Sequence, residues 1–398
     1  MIAAVLLAAA LGGCTREGAA PARSAMDRPA RRPPPPEEVI VDRLEWPQVV
    51  GQVFMVGVPG GWSAQAPAQL RTLPAGWVIL YARNISSRAQ LDGLVADLAS
   101  VTDRVAGCPA LIAIDHEGGR VDRLPESGFT HFPAASEMTA RPLAEVREEG
   151  HVMATELREV GIHMNLAPVA DVLTNPRNAD ISNRSFGGDT AHVAERVVAF
   201  IEGAHEADGL VCAKHFPGYG PIAENPHASL PTVDLAVAHW RQVHAPPFRA
   251  AIDAGADAVM TGHVIWTALD AQAPASLSRP IVTDMLREQW SYDGLILTDD
   301  LEMGAVGEAM PVGQAAERAI RAGADVALIC HTAAAQRAAY HRLLALSERD
   351  PELAARIREA AVRVLRTKLR MGLIEPPAAA ASGAGPESAT GATTQPDT

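Results

Sequence analysis

The chain has 398 residues but only four cysteines, Cys14, Cys108, Cys212 and Cys330, and no CxxC pair among them. That spacing excludes both a dithiol redox motif and a zinc knuckle. Basic charge is also short: 34 Lys and Arg stand against 47 Asp and Glu, for a net charge of −13. Phosphate backbones attract basic surfaces, so no nucleic-acid partner is expected. Several catalytic signatures are missing as well. No GxGxxG follows the first apolar run, and there is no phosphate loop, no GxSxG nucleophile elbow and no HExxH pair. No cofactor or metal is therefore expected, and only the scattered His263, His331 and aspartates keep zinc open as an alternative. What remains is an ordinary balance of 48% apolar and 20% charged residues, that of a soluble globular protein.

The termini differ in kind from the middle. Residues 1–14, "MIAAVLLAAALGGC", hold an apolar stretch of thirteen residues ending at Cys14. A bilayer span needs about 20. The stretch fits a secretory signal instead, and "LGGC" resembles the bacterial lipobox, in which the cysteine is lipidated. The expectation is a lipoprotein held to the membrane only through lipid on Cys14, on the periplasmic or cell-surface side. A cleaved signal without lipid and a cytosolic chain are the alternatives. Lipidation would leave three thiols, an odd number that argues against a disulfide framework. Cys212 and Cys330 lie in apolar runs and read as small buried hydrophobes. Residues 15–39, rich in Pro, Ala and Arg, read as an extended tether. Residues 376–398 have almost no large apolar side chain and read as disordered. The folded part is expected over 40–375, and as a monomer.

Inside it, eight short apolar runs alternate with longer periodic segments. The runs are 52–58, 76–82, 110–116, 161–171, 209–216, 256–264, 294–300 and 324–331. Each is continuously apolar, as strands buried on both faces are. Residues 87–105, 142–161, 190–209 and 313–323 carry the helical period. Eight strand–helix alternations predict a parallel (β/α)₈ barrel of the TIM type, with a doubly wound open sheet as runner-up.

Barrel enzymes build their sites at the C-terminal ends of the strands. Seven of the eight runs end in polar residues: Arg83-Asn84, Asp115-His116-Glu117, Asp171, Lys214-His215, His263, Asp299-Asp300 and His331. A single such ending is an ordinary N-cap or a hydrogen-bonded core residue. Seven on one face predict a catalytic site. Carboxylates on different strands suit glycoside chemistry, which needs one group to protonate a leaving oxygen and another to stabilise or trap a cationic sugar.

Six motifs sharpen this: "IDHEGGRVDRL" (114–124), "NLAPVADV" (165–172), "NRSFG" (183–187), "AKHFPGYG" (213–220), "VMTGHV" (259–264) and "LTDDLEMGAV" (297–306). In this order and spacing the chain resembles glycoside hydrolase family 3, in particular its single-domain bacterial β-N-acetylhexosaminidases, over about residues 48–375. The resemblance implies a retaining exo-glycosidase acting on terminal β-linked N-acetylglucosamine, with peptidoglycan fragments as the natural substrate class. Asp299 matches the nucleophile. Asp115, Arg184, Lys214 and His215 match the sugar-binding residues. Residues 117–120 shape the pocket floor, Asp300 orients a loop, and His263 and Met303 line the mouth. Larger members carry a second sandwich domain, and none is expected here.

The resemblance also implies an acid/base histidine on the loop after the fifth strand, in an Asp-Ser-His triplet. Here the triplet reads Asn225-Pro226-His227, so His227 takes that role without an aspartate two residues before it. Asn225 could fix the tautomer but lends no charge, and Glu224 is the adjacent carboxylate that could support the histidine or act as the acid itself. A second departure puts Tyr219 where the family motif has histidine. Two alternatives stay open: phosphorolysis of the glycosyl-enzyme, and a wall-sugar-binding lipoprotein with weak catalysis.

Overall fold

The computed structural model describes residues 34–60, 65–125 and 127–377. Lipidation at Cys14, nearly all of the tether and nearly all of the C-terminal tail lie outside the described residues. Eight parallel strands close into a barrel: β1 (Phe54–Gly57), β2 (Trp77–Leu80), β3 (Leu111–Ile114), β4 (Met164–Asn165), β5 (Leu210–Phe216), β6 (Ala258–Thr261), β7 (Leu295–Asp300) and β8 (Val326–Ile329). Each pairs with its sequence neighbours, and β8 returns to β1. All eight predicted strands are present, and the (β/α)₈ barrel stands.

The strand sequences explain their place. Side chains such as Met55, Ile79, Leu111, Cys212, Leu297, Leu328 and Cys330 point inward and pack into one apolar plug. The opposite faces, with Val56, Val78, Ile112 and Ile329, pack under the helices. Burying each Leu- or Ile-sized side chain stabilises the fold by about 1.5–3 kcal/mol. Cys108, Cys212 and Cys330 are free and buried, and for Cys212 and Cys330 this is what their apolar runs predict.

The helices follow their periodic segments closely. Arg88–Ala106 starts at Ser87, whose hydroxyl accepts the Gln90 amide. Thr190–Glu206 starts at Asp189, whose carboxylate accepts the His192 amide. Each cap satisfies an amide that the first helical turn leaves open. Leu143–Glu159 and Val312–Ala322 complete the set predicted from sequence.

Two boundaries differ from expectation. The fourth strand, read as 161–171, is a ladder of only two residues. Pro168 has no N–H to give, so the segment beyond Asn165 is held by scattered bonds, among them Cys212 N–H to the Ala167 carbonyl at 2.9 Å. At the N-terminus, Pro36–Val41 is a helix, although residues up to 39 read as tether. Pro36 supplies a preset φ at the first position, and Glu37 and Glu38 sit in the first turn, where acids favour a helix. Glu37 then pairs with Arg366 at 2.9 Å, which joins this helix to the last one, Pro351–Arg370.

Candidate active site

A cavity of about 630 Å³ opens at the C-terminal ends of the strands. Asp115, Arg184, Lys214, His215, His227 and Asp299 all line it. Six residues from five separate stretches of chain therefore meet in one place, as their positions after strand ends predict. Met303, Asp300 and His331 line it too.

One wall is a chain of alternating charges. Lys214 Nζ lies 2.5 Å from Asp115 Oδ1 and 2.5 Å from Glu117 Oε1. Glu117 in turn receives Arg184 through two parallel bonds of 2.8 Å, a fork geometry that fixes the guanidinium plane. Arg184 continues to Asp180 at 3.4 Å. Arg123 reaches the other oxygen of Asp115 at 3.3 Å. Three carboxylates thus face three cations, which is how buried charge is tolerated. Burial opposes charging Glu117, but Arg184 and Lys214 outweigh it and hold its carboxyl well below the usual range. Burial likewise opposes charging Lys214, and Asp115 and Glu117 outweigh it and hold the ammonium above its usual value. Glu117 is only 4% exposed and Asp115 19%. Glu117 is therefore the root of the network, and Asp115 is the end offered to a ligand.

His215 is set by Asp171. The buried carboxylate sits 2.8 Å from Nδ1 of the imidazole, and its other oxygen accepts the Tyr219 amide at 2.5 Å. Arg184 can only donate, so the contact of 3.4 Å between its Nη2 and His215 Nε2 requires Nε2 to accept. The proton then sits on Nδ1, facing Asp171.

Asp299 is the last residue but one of β7 and lines the cavity. Each of its oxygens receives one donor: the Asp300 amide at 2.9 Å on Oδ1 and the Tyr219 hydroxyl at 3.2 Å on Oδ2. Burial pushes its carboxyl up, but His215, His263, the Asp300 amide and His227 together hold it below its ordinary value. Burial pushes the Tyr219 hydroxyl well up, so it stays protonated and stays a donor. The tyrosine ring is close under Gly262, where any Cβ would come within 2.6 Å of it. Tyr219 is therefore a strut beneath the carboxylate.

His263 does not line the cavity, contrary to expectation. It is buried, with Nδ1 on the Ser276 hydroxyl at 2.7 Å and Nε2 on the Asp300 carbonyl at 2.9 Å. Side chains alternate along an extended segment, and this one points behind the wall, where its amide holds the Tyr219 oxygen at 2.5 Å. Asp300 orients loops: Oδ1 accepts the amides of Glu302 and Cys330, both at 3.2 Å, while Oδ2 pairs with His331 at 3.1 Å.

The loop after β5 carries His227 to the rim, 61% exposed. It is clipped to the chain beyond β7 by main-chain bonds alone, Gly304 N–H to the His227 carbonyl and Ala305 N–H to the Pro226 carbonyl, each 3.2 Å. A Cβ on Gly304 would sit 2.7 Å from the His227 carbonyl oxygen, so only glycine permits this approach. Neither Asn225 nor Glu224 lines the cavity. Asn225 Oδ1 accepts the backbone amide of His227 at 2.9 Å, which shapes the turn. Glu224 accepts the Ala223 amide at 3.3 Å. The carboxylate that reaches the imidazole is Asp180, 3.8 Å from Nε2.

Sequence reasoning passed over Asp180, Arg123, Tyr81 and Glu302, which also line the cavity. One signal for Asp180 was present: it lies four residues before Arg184, a spacing that brings opposite charges together on a helical turn.

Comparison with known proteins agrees with this geometry. Residues 47–367 match the glycosyl hydrolase family 3 N-terminal domain. The chain is 38% identical over 285 residues to a beta-hexosaminidase of Bordetella avium, across 70% of this chain and 80% of that protein. A solved glycoside hydrolase family 3 beta-N-acetylglucosaminidase from Paenibacillus sp. superposes with a TM-score of 0.79 at 36% identity. That match covers 89% of this chain and 66% of the Paenibacillus chain. A beta-N-acetylhexosaminidase from Beutenbergia cavernae gives a TM-score of 0.77 at 34% identity, over 82% of this chain and 98% of its own. With a family match running from the first strand to the last helix and a carboxylate-lined cavity at the strand ends, the chain belongs to glycosyl hydrolase family 3 and is a glycoside hydrolase.

Proposed function

We propose that this protein is a retaining exo-β-N-acetylhexosaminidase that releases terminal β-linked N-acetylglucosamine. The observation that carries the reading is Asp299: an ionised carboxylate with a donor on each oxygen, near the end of a barrel strand and lining the cavity. Relatives named beta-hexosaminidase and beta-N-acetylglucosaminidase support the sugar.

In the first step a carboxylate oxygen of Asp299 attacks the anomeric carbon from the face opposite the leaving group. The C1–O bond breaks, its electron pair stays on the leaving oxygen, and protonated His227 gives that oxygen a proton. In the second step water attacks C1, His227 takes the water proton, and the C1–Asp299 bond breaks. Asp115 accepts sugar hydroxyls, and Lys214, Arg184 and His215 hold the ring around it. A polar wall of this kind is costly to leave unpaired, so it selects a hydroxylated ligand.

The decisive assay is release of an aryl alcohol from an aryl β-N-acetylglucosaminide by the folded protein. The β-anomer of N-acetylglucosamine should appear first by NMR. No release, or first appearance of the α-anomer, would sink the reading.

Tyr219→Phe is a finer test of the same site. Losing a hydrogen bond to a charged group costs about 1.5–3 kcal/mol. The expected fall in kcat/KM is therefore about 10- to 100-fold. The lost donor stabilised the ionised form of Asp299, so the acid limb of the pH–rate profile should move to higher pH. An unmoved limb would mean the strut does not tune Asp299.

Peptidoglycan fragments are the proposed natural class and lipid on Cys14 the proposed anchor. Both rest on the N-terminal signal and on the resemblance of the motifs. Cys14→Ser should release the protein from membranes on fractionation, and continued sedimentation with membranes would refute the anchor.

A further inference from the structure

The family pattern places an aspartate two residues before the acid/base histidine, and this chain has Asn225 there. Neutral Asn225 spends its side-chain oxygen on a backbone amide. Another carboxylate, from a different part of the barrel, faces the imidazole. Resting on the hydrolase reading above, we infer that Asp180, on the segment between β4 and its helix, is the charge partner that positions His227 for proton transfer.

The two oxygens of Asp180 have separate tasks. Oδ2 faces Arg184 Nη1 at 3.4 Å, and Oδ1 faces His227 Nε2 at 3.8 Å. Arg120 holds the backbone here, bonding the carbonyl of Ala179 at 3.0 Å and that of Asp180 as well. The side chain of Asp180 is only 12% exposed, so water screens its charge weakly. The other carboxylates lining the cavity are Asp115, Asp299, Asp300 and Glu302. Asp115 is taken by Lys214 and Arg123, Asp300 by His331, and Glu302 by the amides of His331 and Thr332, while Asp299 is the reacting group, which leaves Asp180 to serve the imidazole.

The proton path follows. With Nε2–H directed at Asp180, the proton that moves is on Nδ1. The glycosidic oxygen takes the Nδ1 proton as the C1–O bond breaks. The ring is left as the Nε2–H tautomer, still facing Asp180. In the second step Nδ1 takes the proton back from the attacking water. Asp180 acts through the imidazole and not on the reacting atoms, so it is a positioning residue rather than a catalytic one.

The test compares two substrates of one sugar. A 2,4-dinitrophenyl β-N-acetylglucosaminide leaves without acid assistance, whereas a 4-methoxyphenyl one needs its oxygen protonated. Asp180→Asn should lower kcat/KM on the 4-methoxyphenyl substrate by about 10-fold or more. On the dinitrophenyl substrate the loss should be about 10-fold smaller than on the 4-methoxyphenyl one. Any disturbance of Arg184 through its contact with Asp180 weighs on both substrates alike and cancels in the ratio, and circular dichroism should show the variant folded. Equal losses on both substrates, or no loss on either, would overturn the assignment of Asp180 while leaving the hydrolase reading intact. A wild type that cleaves neither substrate would overturn the hydrolase reading itself, and this inference with it.

Discussion

Asp299→Ala should abolish turnover, with a loss on the order of 10⁴-fold or more, the scale seen when a catalytic unit loses its nucleophile. The side chain carries the covalent bond in the proposed path, and no neighbour can replace it. Both oxygens of Asp300 are engaged, by two amides and by His331. Tyr219 stays protonated and buried. The variant also leaves a small space against C1, which azide can enter. Azide should restore turnover of the dinitrophenyl substrate and give the α-glycosyl azide, because attack from the Asp299 side inverts the anomeric centre once. A β-azide, or a variant as fast as wild type, would assign the nucleophile elsewhere. The wild type adds a pH signature. The surroundings hold the Asp299 carboxyl below its ordinary value, so the ionised nucleophile is present at neutral pH and is lost as pH falls through that lowered value.

Glu117→Gln should have the largest effect on the fold itself. Glu117 is the joint acceptor for Lys214 and Arg184, both nearly out of water. The neutral amide keeps the shape and removes the charge. Lys214 then keeps Asp115 as its anionic partner, and Arg184 keeps as its anionic partner only Asp180, at a longer distance. Breaking a buried pair from one side costs about 3–5 kcal/mol, because the stranded charge stays buried. Urea unfolding should show a loss of about 3 kcal/mol at pH 7, and a change below about 1 kcal/mol would mean the network is not structural. The sign with pH is fixed by the depressed Glu117 value. Its stabilisation is fully present above the ordinary carboxyl value of 4.5 and is lost as pH falls through the folded value. The gap between wild type and variant should therefore narrow on acidification.

The barrel was legible because strands buried on both faces leave continuous apolar runs, and eight such runs leave little choice of architecture. The exception, the short β4, turns on Pro168, whose missing N–H thins the ladder without breaking the apolar pattern. Residues that follow strands directly, such as Asp115, Lys214 and Asp299, could be placed because the strand aims them. The same rule misplaced His263, since facing alternates along an extended chain and polarity does not say which face. Asp180, Arg123 and Glu302 stand on loops, where nothing local marks them. Their meaning lies in contacts across the barrel, and only the fold brings Asp180 to within 3.8 Å of a residue 47 positions later. By sequence Glu117 is a strand ending and part of the pocket floor, and its role as the root of the charge network needed both Lys214 and Arg184 in place.

The seat of His227 bears on how the two reacting groups keep their distance. Its loop is fastened to Gly304 and Ala305, and Asp299 lies only five residues before that first point. The proposed nucleophile and the proposed acid therefore hang from one short stretch of chain, which works as a ruler between them. A movement of that stretch carries both, and their separation survives it. The loop has a second anchor near its start, where Asn175 Nδ2 donates to the carbonyls of Pro221 at 3.2 Å and Ile222 at 3.1 Å and the Ile222 side chain is buried. Between the two anchors only Ala223 and Glu224 are both exposed and free to change without changing the gap a sugar must fit. Because the fastening to Gly304 and Ala305 is main chain to main chain, its closest constraint on sequence is at Gly304, where a Cβ would meet the His227 carbonyl oxygen at 2.7 Å.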